Sequence, residues 1–310
     1  MRLLVTGVQG QVARAMSEAA RPAGVDVISL GRPDVDLARP EGIADAIAAL
    51  APDVVVNAAA YTAVDQAETE EAEATAINVR GAAAVAAAAA RIGAPLIHLS
   101  TDYVFDGSSP RAYREDDAIK PMSAYGRSKA AGEITVAQAQ ANHVILRTAW
   151  VYSPYGKNFL RTMLRLAEAR DVVRVVADQR GAPTSALDIA DAIIRIAHRL
   201  MHDDDPHVRG LFHMTGAGAA SWADFAEAIF AESAARGGPS AAVERIATTD
   251  YPTPACRPAN SALDCSKLQK AFGLQLPPWR ESVGVVVQRC LAENLAQNVN
   301  TSDVNTRMDR

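Results

Sequence analysis

Leu3-Leu4-Val5-Thr6-Gly7-Val8-Gln9-Gly10-Gln11-Val12-Ala13 is the stretch whose reading decides the fold. A short apolar run of strand length ends in a glycine turn, and the turn opens directly into a helical pattern that continues to about Arg21. In the G-x-x-G-x-x-A spacing, Gly7 permits the tight turn, Gly10 leaves the backbone open to a pyrophosphate, and Ala13 lets helix and strand pack closely. The amides of Gln11 and Val12 and the helix dipole behind them suit a phosphate. Taken alone, such a glycine pattern is equally an ordinary turn. Its place between a strand and a helix favours a nucleotide site.

Working outward, short β-rich runs alternate with helical ones. Strands are expected at Val25–Leu30, Val54–Val56, Leu96–Leu99 and Val144–Leu146, with helical runs at Pro40–Leu50 and Ala63–Arg91. This alternation predicts an α/β fold, a doubly wound parallel sheet covered on both faces, over residues 1–150. Beyond Trp150 the pattern loosens. Phe159–Arg170 and Ile189–Met201 read as helices with a strand at Val172–Val176 between them, and Leu211–Met214 is expected to return a strand to the sheet, which parts of 186–216 would complete. Ser221 is a plausible N-cap for a helix through Ala235. Residues 151–296 are therefore read as mainly a smaller, interleaved substrate lobe, and 297–310, polar and without period, as a flexible tail.

Composition narrows the function. A hydrophobic share of 49% and a charged share of 22% belong to a globular protein with a sizeable core. The net charge of −5, without a basic stripe, argues against nucleic acid. The alanine-rich Gly81–Ala90 lies between Arg80 and Arg91 and reads as a packed helix rather than a membrane span. Three scattered cysteines suggest free thiols and no zinc site. With no apolar leader ahead of the first motif, the expected location is the cytoplasm.

Chemistry concentrates in Ser100–Lys129. Tyr125 and Lys129 are four residues apart, one turn along one helix face. A free phenol titrates near about 10, and a neighbouring ammonium would favour its ionised form and bring the proton into use. Ser100 and Thr101 follow the apolar run Pro95–Leu99, so they fall at a strand's carboxyl end, where such sheets place ligands. A lone Y-x-x-x-K is also what two surface residues on a helix look like; the hydroxyl of Thr101 and the glycine turn give it context. Arg32, just past the second strand where an acid would hold a ribose diol, points to a 2′-phosphate and hence NADPH, with NADH possible. Asp36 and Leu37 would flank the adenine, and the small residues of Asn57-Ala58-Ala59-Ala60, with Tyr61 after them, let a dinucleotide lie across the strand ends. Asn78 carries no catalytic role, and Glu68, Glu70, Glu71 and Glu73 read as a solvated helix face.

Gly7-x-x-Gly10, Asn57–Ala60, Ser100-Thr101-Asp102-Tyr103-Val104-Phe105 and Tyr125-x-x-x-Lys129 together resemble the extended short-chain dehydrogenase/reductases. Further strings, Ala60–Asp65, Arg147–Tyr152, Gln179–Thr184 and Tyr251–Asn260, are similar to the members that reduce nucleotide-linked 4-keto deoxysugars, and the match runs to about residue 295. The resemblance implies NAD(P)H-dependent reduction at C4 of dTDP-4-dehydro-L-rhamnose, a step in nucleotide-sugar biosynthesis. It implies Tyr125 as proton donor, Lys129 on the nicotinamide ribose, and Thr101 on the same keto oxygen, with Asp102 reaching the sugar and Trp150 lying against it. Arg257 and Asn158 become candidates for the substrate diphosphate. Related 4,6-dehydratases carry Glu where this chain has Tyr103, so elimination is disfavoured. No acidic cluster matches the magnesium described for some relatives, so no metal is expected. A monomer or homodimer acting on a small dTDP-sugar is the implied assembly. Reduction of another nucleotide-linked 4-keto sugar, or a non-catalytic NADP-binding subunit on this scaffold, remain as other readings.

Overall fold

The computed structural model describes residues 1–308, with side chains through residue 293. Its centre is a six-stranded sheet, every neighbouring pair parallel. In chain order the elements are β1 (Arg2–Thr6), α1 (Gln11–Ala19), β2 (Asp26–Leu30), α2 (Ile43–Leu50), β3 (Val54–Asn57), α3 (Ala82–Arg91), β4 (Leu96–Thr101), α4 (Ala124–Ala139) and β5 (His143–Thr148). They continue with α5 (Phe159–Ala167), α6 (Ala186–His202), β6 (Gly210–His213), α7 (Trp222–Ala234) and α8 (Trp279–Met308). Across the sheet the order is β6-β5-β4-β3-β1-β2, so the winding reverses between β1 and β3.

Side-chain alternation along the strands sets the layers. Leu3, Val5, Val54, Val56, Ile97, Leu146 and Phe212 point to one face, where α1 (Met16) and α6 (Ile189, Ile193, Ile196) cover them. Leu4, Val55, Leu96 and Ile145 point to the other, under α2 (Ile43, Ile47), α3 (Val85, Ala89) and Val136 of α4. Both faces are thus dry, as near-continuous apolar strands require. A second core, with Tyr152, Leu160, Phe225, Ile229, Trp279 and Val283, is built from α5, α7 and α8. The expected strand Val172–Val176 forms, but it pairs with Ala242–Ile246 in this second core and leaves the main sheet to β6. Ser221 caps α7 through a reciprocal pair with Asp224. The tail expected from residue 297 lies where side chains are outside the described residues; the backbone of α8 runs through it to Met308. Among the described residues no helix is long and apolar enough to cross a membrane.

One expected element breaks. Ala63–Arg91 is not a single helix but a 3₁₀ turn (Gln66–Glu68), a short helix (Glu71–Thr75), a π turn (Ala76–Gly81) and α3. The π turn is closely packed: a Cβ on Gly81 would stand 2.4 Å from the Leu37 carbonyl oxygen. From the π turn, Asn78 accepts from the Tyr61 amide (2.9 Å) and donates to the Tyr61 carbonyl (3.1 Å) and to Ser128 of α4 (2.9 Å). The bulge is what brings α4 down onto the sheet. At that contact a Cβ on Gly132 would lie 2.2 Å from the Asn78 carbonyl oxygen. Gly132→Ala is therefore expected to destabilise by about 1–3 kcal/mol, read as a lower urea midpoint at unchanged slope; an unchanged midpoint would show that α4 is free to move off the turn.

Candidate active site

The carboxyl ends of β1 and β3 are joined by side chains to the middle of β4. Thr6 donates to Asn57 Oδ1 (2.6 Å) while accepting from the Ala59 amide (3.1 Å), which turns the Asn57 amide nitrogen toward His98 Nδ1 (3.0 Å). His98 therefore carries its proton on Nε2, and burial holds its pKa well below the ordinary value. This rail fixes where the loops after β1 and β3 begin.

On the first of those loops Gly7 adopts φ +93°, a left-handed backbone that glycine takes without strain. No side chain caps α1 and its first turn holds no acid, while the space around Gly10 is open. The amides at the start of α1 are thus unclaimed by side chains. Val12 is buried beneath them, and Gln11 reaches across to the second lobe, bonding Ser153 (2.8 Å) and the Val151 carbonyl (3.3 Å). Ala59 packs 3.5 Å from where a Gly7 Cβ would sit, and Ala60 and Tyr61 follow, half-exposed. Tyr61 donates to Glu70 (2.8 Å); burial, then that bond, pushes its phenol up to about 12. Arg32 is exposed just beyond β2. Asp36 is occupied by the Ala38 amide (3.0 Å) and Arg39 (3.0 Å), and Leu37 is core. A bare helix start, a left-handed glycine and a free cation past β2 are the features a dinucleotide diphosphate and 2′-phosphate fit.

Thr101 ends β4 and Tyr125 opens α4. Ser123 caps that helix by accepting from the Gly126 amide (3.1 Å), and Glu68 accepts from the Ala124 amide (2.8 Å). Glu71 pairs with Arg127. Of the four carboxylates expected on a solvated face, Glu71 and Glu73 are exposed, Glu71 while pairing with Arg127, whereas Glu68 and Glu70 are partly buried and hold the first turn of α4 and Tyr61. Burial pushes the Tyr125 phenol up to about 12, against a hydrogen bond with Thr101 and with the Asp102 charge adding to the rise. The lowering expected from the lysine is not among the influences on the phenol. Tyr125 is therefore a protonated donor at neutral pH. Lys129 is 2% exposed and donates to the Leu99 carbonyl (2.7 Å); burial lowers it to about 8, with Glu133 opposing. Asp102, also buried, accepts from Thr101 (3.0 Å); burial raises its carboxyl to about 7, opposed by the Ser261 and Thr101 hydroxyls. Tyr103 packs edge-on to Tyr125 at 5.9 Å.

The remaining candidates lie on the second lobe. Trp150 sits at φ +47°, a strained backbone for a side-chain-bearing residue, and stacks on Trp222 at 3.6 Å. A Cβ on Gly181 would strike the indole of Trp150 at 2.4 Å. Arg257 makes a two-pronged pair with Asp65 (3.0 and 2.8 Å), so the loop after β3 and the proline-rich loop are tied together. Asn158 caps α5 through the Arg161 amide and donates to the Ser153 and Tyr155 carbonyls, which commits its side chain to the fold and away from a phosphate. Thus Ser100, Thr101, Asp102, Tyr125 and Lys129 meet at one strand end. Sequence reading missed the groups that hold them: Asn78, Glu68, Arg147 and Glu133, although Glu133 repeats the four-residue step of Tyr125 and Lys129.

Residues 1–292 match the model of the RmlD substrate binding domain family. A dTDP-4-dehydrorhamnose reductase of Sinorhizobium fredii is 52% identical over 293 residues, covering 94% of this chain and 99% of the relative; that of Escherichia coli K12 is 42% identical over 292 residues, covering 91% and 96%. This chain belongs to the dTDP-4-dehydrorhamnose reductase family. Among solved members of the dTDP-4-dehydrorhamnose reductase family, that of Clostridium acetobutylicum superposes with a TM-score of 0.86 at 35% identity, covering 93% of this chain and 99% of that one. The reductase of Bacillus anthracis, solved in complex with NADP, gives 0.85 at 34% identity, covering 92% and 98%. Among the described residues no group of three His, Cys, Asp or Glu is placed to hold a metal.

Asp102 generates a test of the site's electrostatics. Its folded pKa is raised above the unfolded value near about 3.9, so its stabilising share is present below that value and is lost as pH rises toward about 7. The melting-temperature difference between wild type and Asp102→Asn should shift against wild type between those two pH values. A flat difference would show that Asp102 is ionised throughout.

Proposed function

We propose that this chain reduces the C4 keto group of dTDP-4-dehydro-L-rhamnose with NADPH to give dTDP-L-rhamnose. The observation that carries the reading is the meeting of Thr101, Tyr125 and Lys129 at the carboxyl end of β4, beside an uncapped α1, in a member of this reductase family. Gly7, Gly10, Gln11, Val12, Ala59, Ala60, Tyr61 and Ser100 would line the cofactor, with Arg32 at the 2′-phosphate. Bound there, the reduced nicotinamide supplies hydride to the carbonyl carbon. Tyr125 gives its proton to the carbonyl oxygen as negative charge gathers on it. Thr101, whose hydroxyl bears on the phenol, would bond the same oxygen. Lys129, while charged, steadies the phenolate left behind and bonds the ribose. Tyr103, with no carboxyl to offer, leaves Asp102 without the neighbouring glutamate that the related dehydratases carry, so elimination is disfavoured.

The division of labour follows. Residues 1–150, with parts of 186–216, hold the cofactor, and 151–296 mainly hold the sugar nucleotide, with Trp150 against the deoxysugar, Asp102 on its hydroxyls and Arg257 exchanging Asp65 for the diphosphate. Action in the cytoplasm, as a monomer or homodimer and without nucleic acid, belongs to the same reading.

The test is loss of NADPH absorbance on adding freshly made dTDP-4-dehydro-L-rhamnose, with dTDP-L-rhamnose identified as product. NADPH that binds but is not consumed would overturn the substrate assignment. Tyr125→Phe should lower kcat by about 10²- to 10⁴-fold with little change in NADPH affinity, and Lys129→Ala should weaken both; normal turnover by the Phe variant would remove the acid from its role. Arg32→Ala should cost NADPH affinity about tenfold or more, the loss of one charged hydrogen bond, and leave NADH affinity near wild type.

A further inference from the structure

Behind Lys129 the helix carries one more group on the same face. Glu133 follows Lys129 by four residues, as Lys129 follows Tyr125, so the three form one stripe down α4. Glu133 is 7% exposed and fully engaged. One oxygen accepts from Ser100 (2.5 Å) and from Arg147 Nε (2.8 Å), and the other accepts from Arg147 Nη2 (2.6 Å). Ser100 is the residue before Thr101, and Arg147 is its register partner on β5. The carboxylate therefore touches the helix of the lysine, the strand end of the threonine and the neighbouring strand at once.

We propose that Glu133 is a positioning residue for the reduction: clamped by Arg147 and Ser100, its carboxylate keeps the Lys129 amine charged and aligned with Tyr125 and Thr101. This rests on the reductase reading above. A buried pair of this kind is weak evidence for stability, because apolar replacements of equal volume are often neutral or better. Its placement has another use. The buried Lys129 amine bonds the Leu99 carbonyl. Glu133 from α4 bears on Lys129, and Lys129 bears on His98 of β4; Asp102, in the turn after β4, bears on Tyr125, and Arg147 of β5 bears on His213 of β6. His98 and His213 are held neutral by burial. Asp102 is only partly ionised near neutral pH. Glu133, clamped one helical turn from Lys129, is the carboxylate that opposes the amine's loss of charge, and a nearby opposite charge holds an amine protonated by about 1–3 pH units.

The test uses the intact chain, which has five lysines, with ¹³C-labelled lysine side chains. The Lys129 resonance, assigned with Lys129→Arg, is followed against pH without substrate or cofactor. In parallel, the pH profiles of kcat and KM are taken with NADPH and the 4-keto sugar nucleotide. In Glu133→Gln the Lys129 titration and the alkaline limb of kcat should both move down by about one pH unit or more, while Glu133→Asp restores them toward wild type. Because Gln leaves Arg147 buried and unpaired, Glu133→Gln with Arg147→Met provides a second, charge-free background in which a smaller downward shift is expected. A Lys129 titration that stays at the wild-type pH in these variants, or a kcat loss that is uniform across pH, would overturn the proposal and leave Glu133 a packing residue. Failure of the wild-type enzyme to reduce the sugar nucleotide would instead overturn the functional reading, and the resonance titration reports on the Glu133–Lys129 coupling in either case.

Discussion

The Lys129 ammonium sits almost out of water, and an isolated charge so placed costs several kcal/mol. The Leu99 carbonyl and the Glu133 carboxylate offset that cost, and each requires a neighbour to be in place. Glu133 is held by Arg147, which comes from β5, and by Ser100, which comes from β4. The helix carrying Lys129 is held down by the Asn78 turn and by Glu68 at its first amides. Much of the sheet's carboxyl end can be read outward from this one amine. A parallel sheet suits the task, since α4 crosses between β4 and β5 and so meets both strands at once.

The same burial separates the duties of the three polar side chains. Tyr125 is kept protonated, Lys129 is brought close to losing its proton, and Asp102 is brought close to gaining one. Exposed, the phenol and the amine would titrate close together and the carboxyl far below them; burial drives the phenol and the amine apart and brings Lys129 and Asp102 toward one range. Pockets that perturb titrations in this way are where acid–base chemistry is found. The solved UDP-glucose 4-epimerase of Thermus thermophilus shares the fold at 23% identity, so the scaffold alone does not fix the reaction. What surrounds the strand end here, Tyr103 packed against Tyr125, does more to define it.

Local pattern carried most of the fold in the sequence. Strand-length apolar runs, the turn at Gly7 and the return of Leu211–Met214 to the sheet all follow from period and turn chemistry, which act over a few residues. Illegible were features set by contacts distant in sequence. Asn78 broke a run that propensity alone makes helical, because its amide answers the Tyr61 backbone. Glu68 and Glu70 looked like solvent-facing charges until that break laid them on α4 and Tyr61. Arg257 was read as free for phosphate, and its partner Asp65 lies 192 residues away. The pairing of Val172–Val176 with Ala242–Ile246 likewise depends on a partner strand that no local pattern names.

β6 enters the sheet from residues 210–213, after the chain has already built α5 and the strand Val172–Val176. During synthesis the first five strands thus emerge well before the sixth, and until it arrives β5 is an open edge with unpaired amides and carbonyls. The face later covered by α6 is also bare, exposing Val5, Val56 and Leu146 to solvent. A fragment ending at residue 150 would keep every nucleotide-facing loop and still be sticky and incompletely closed. The main sheet therefore closes only with residues 186–213, which the chain reaches after it has begun the second core.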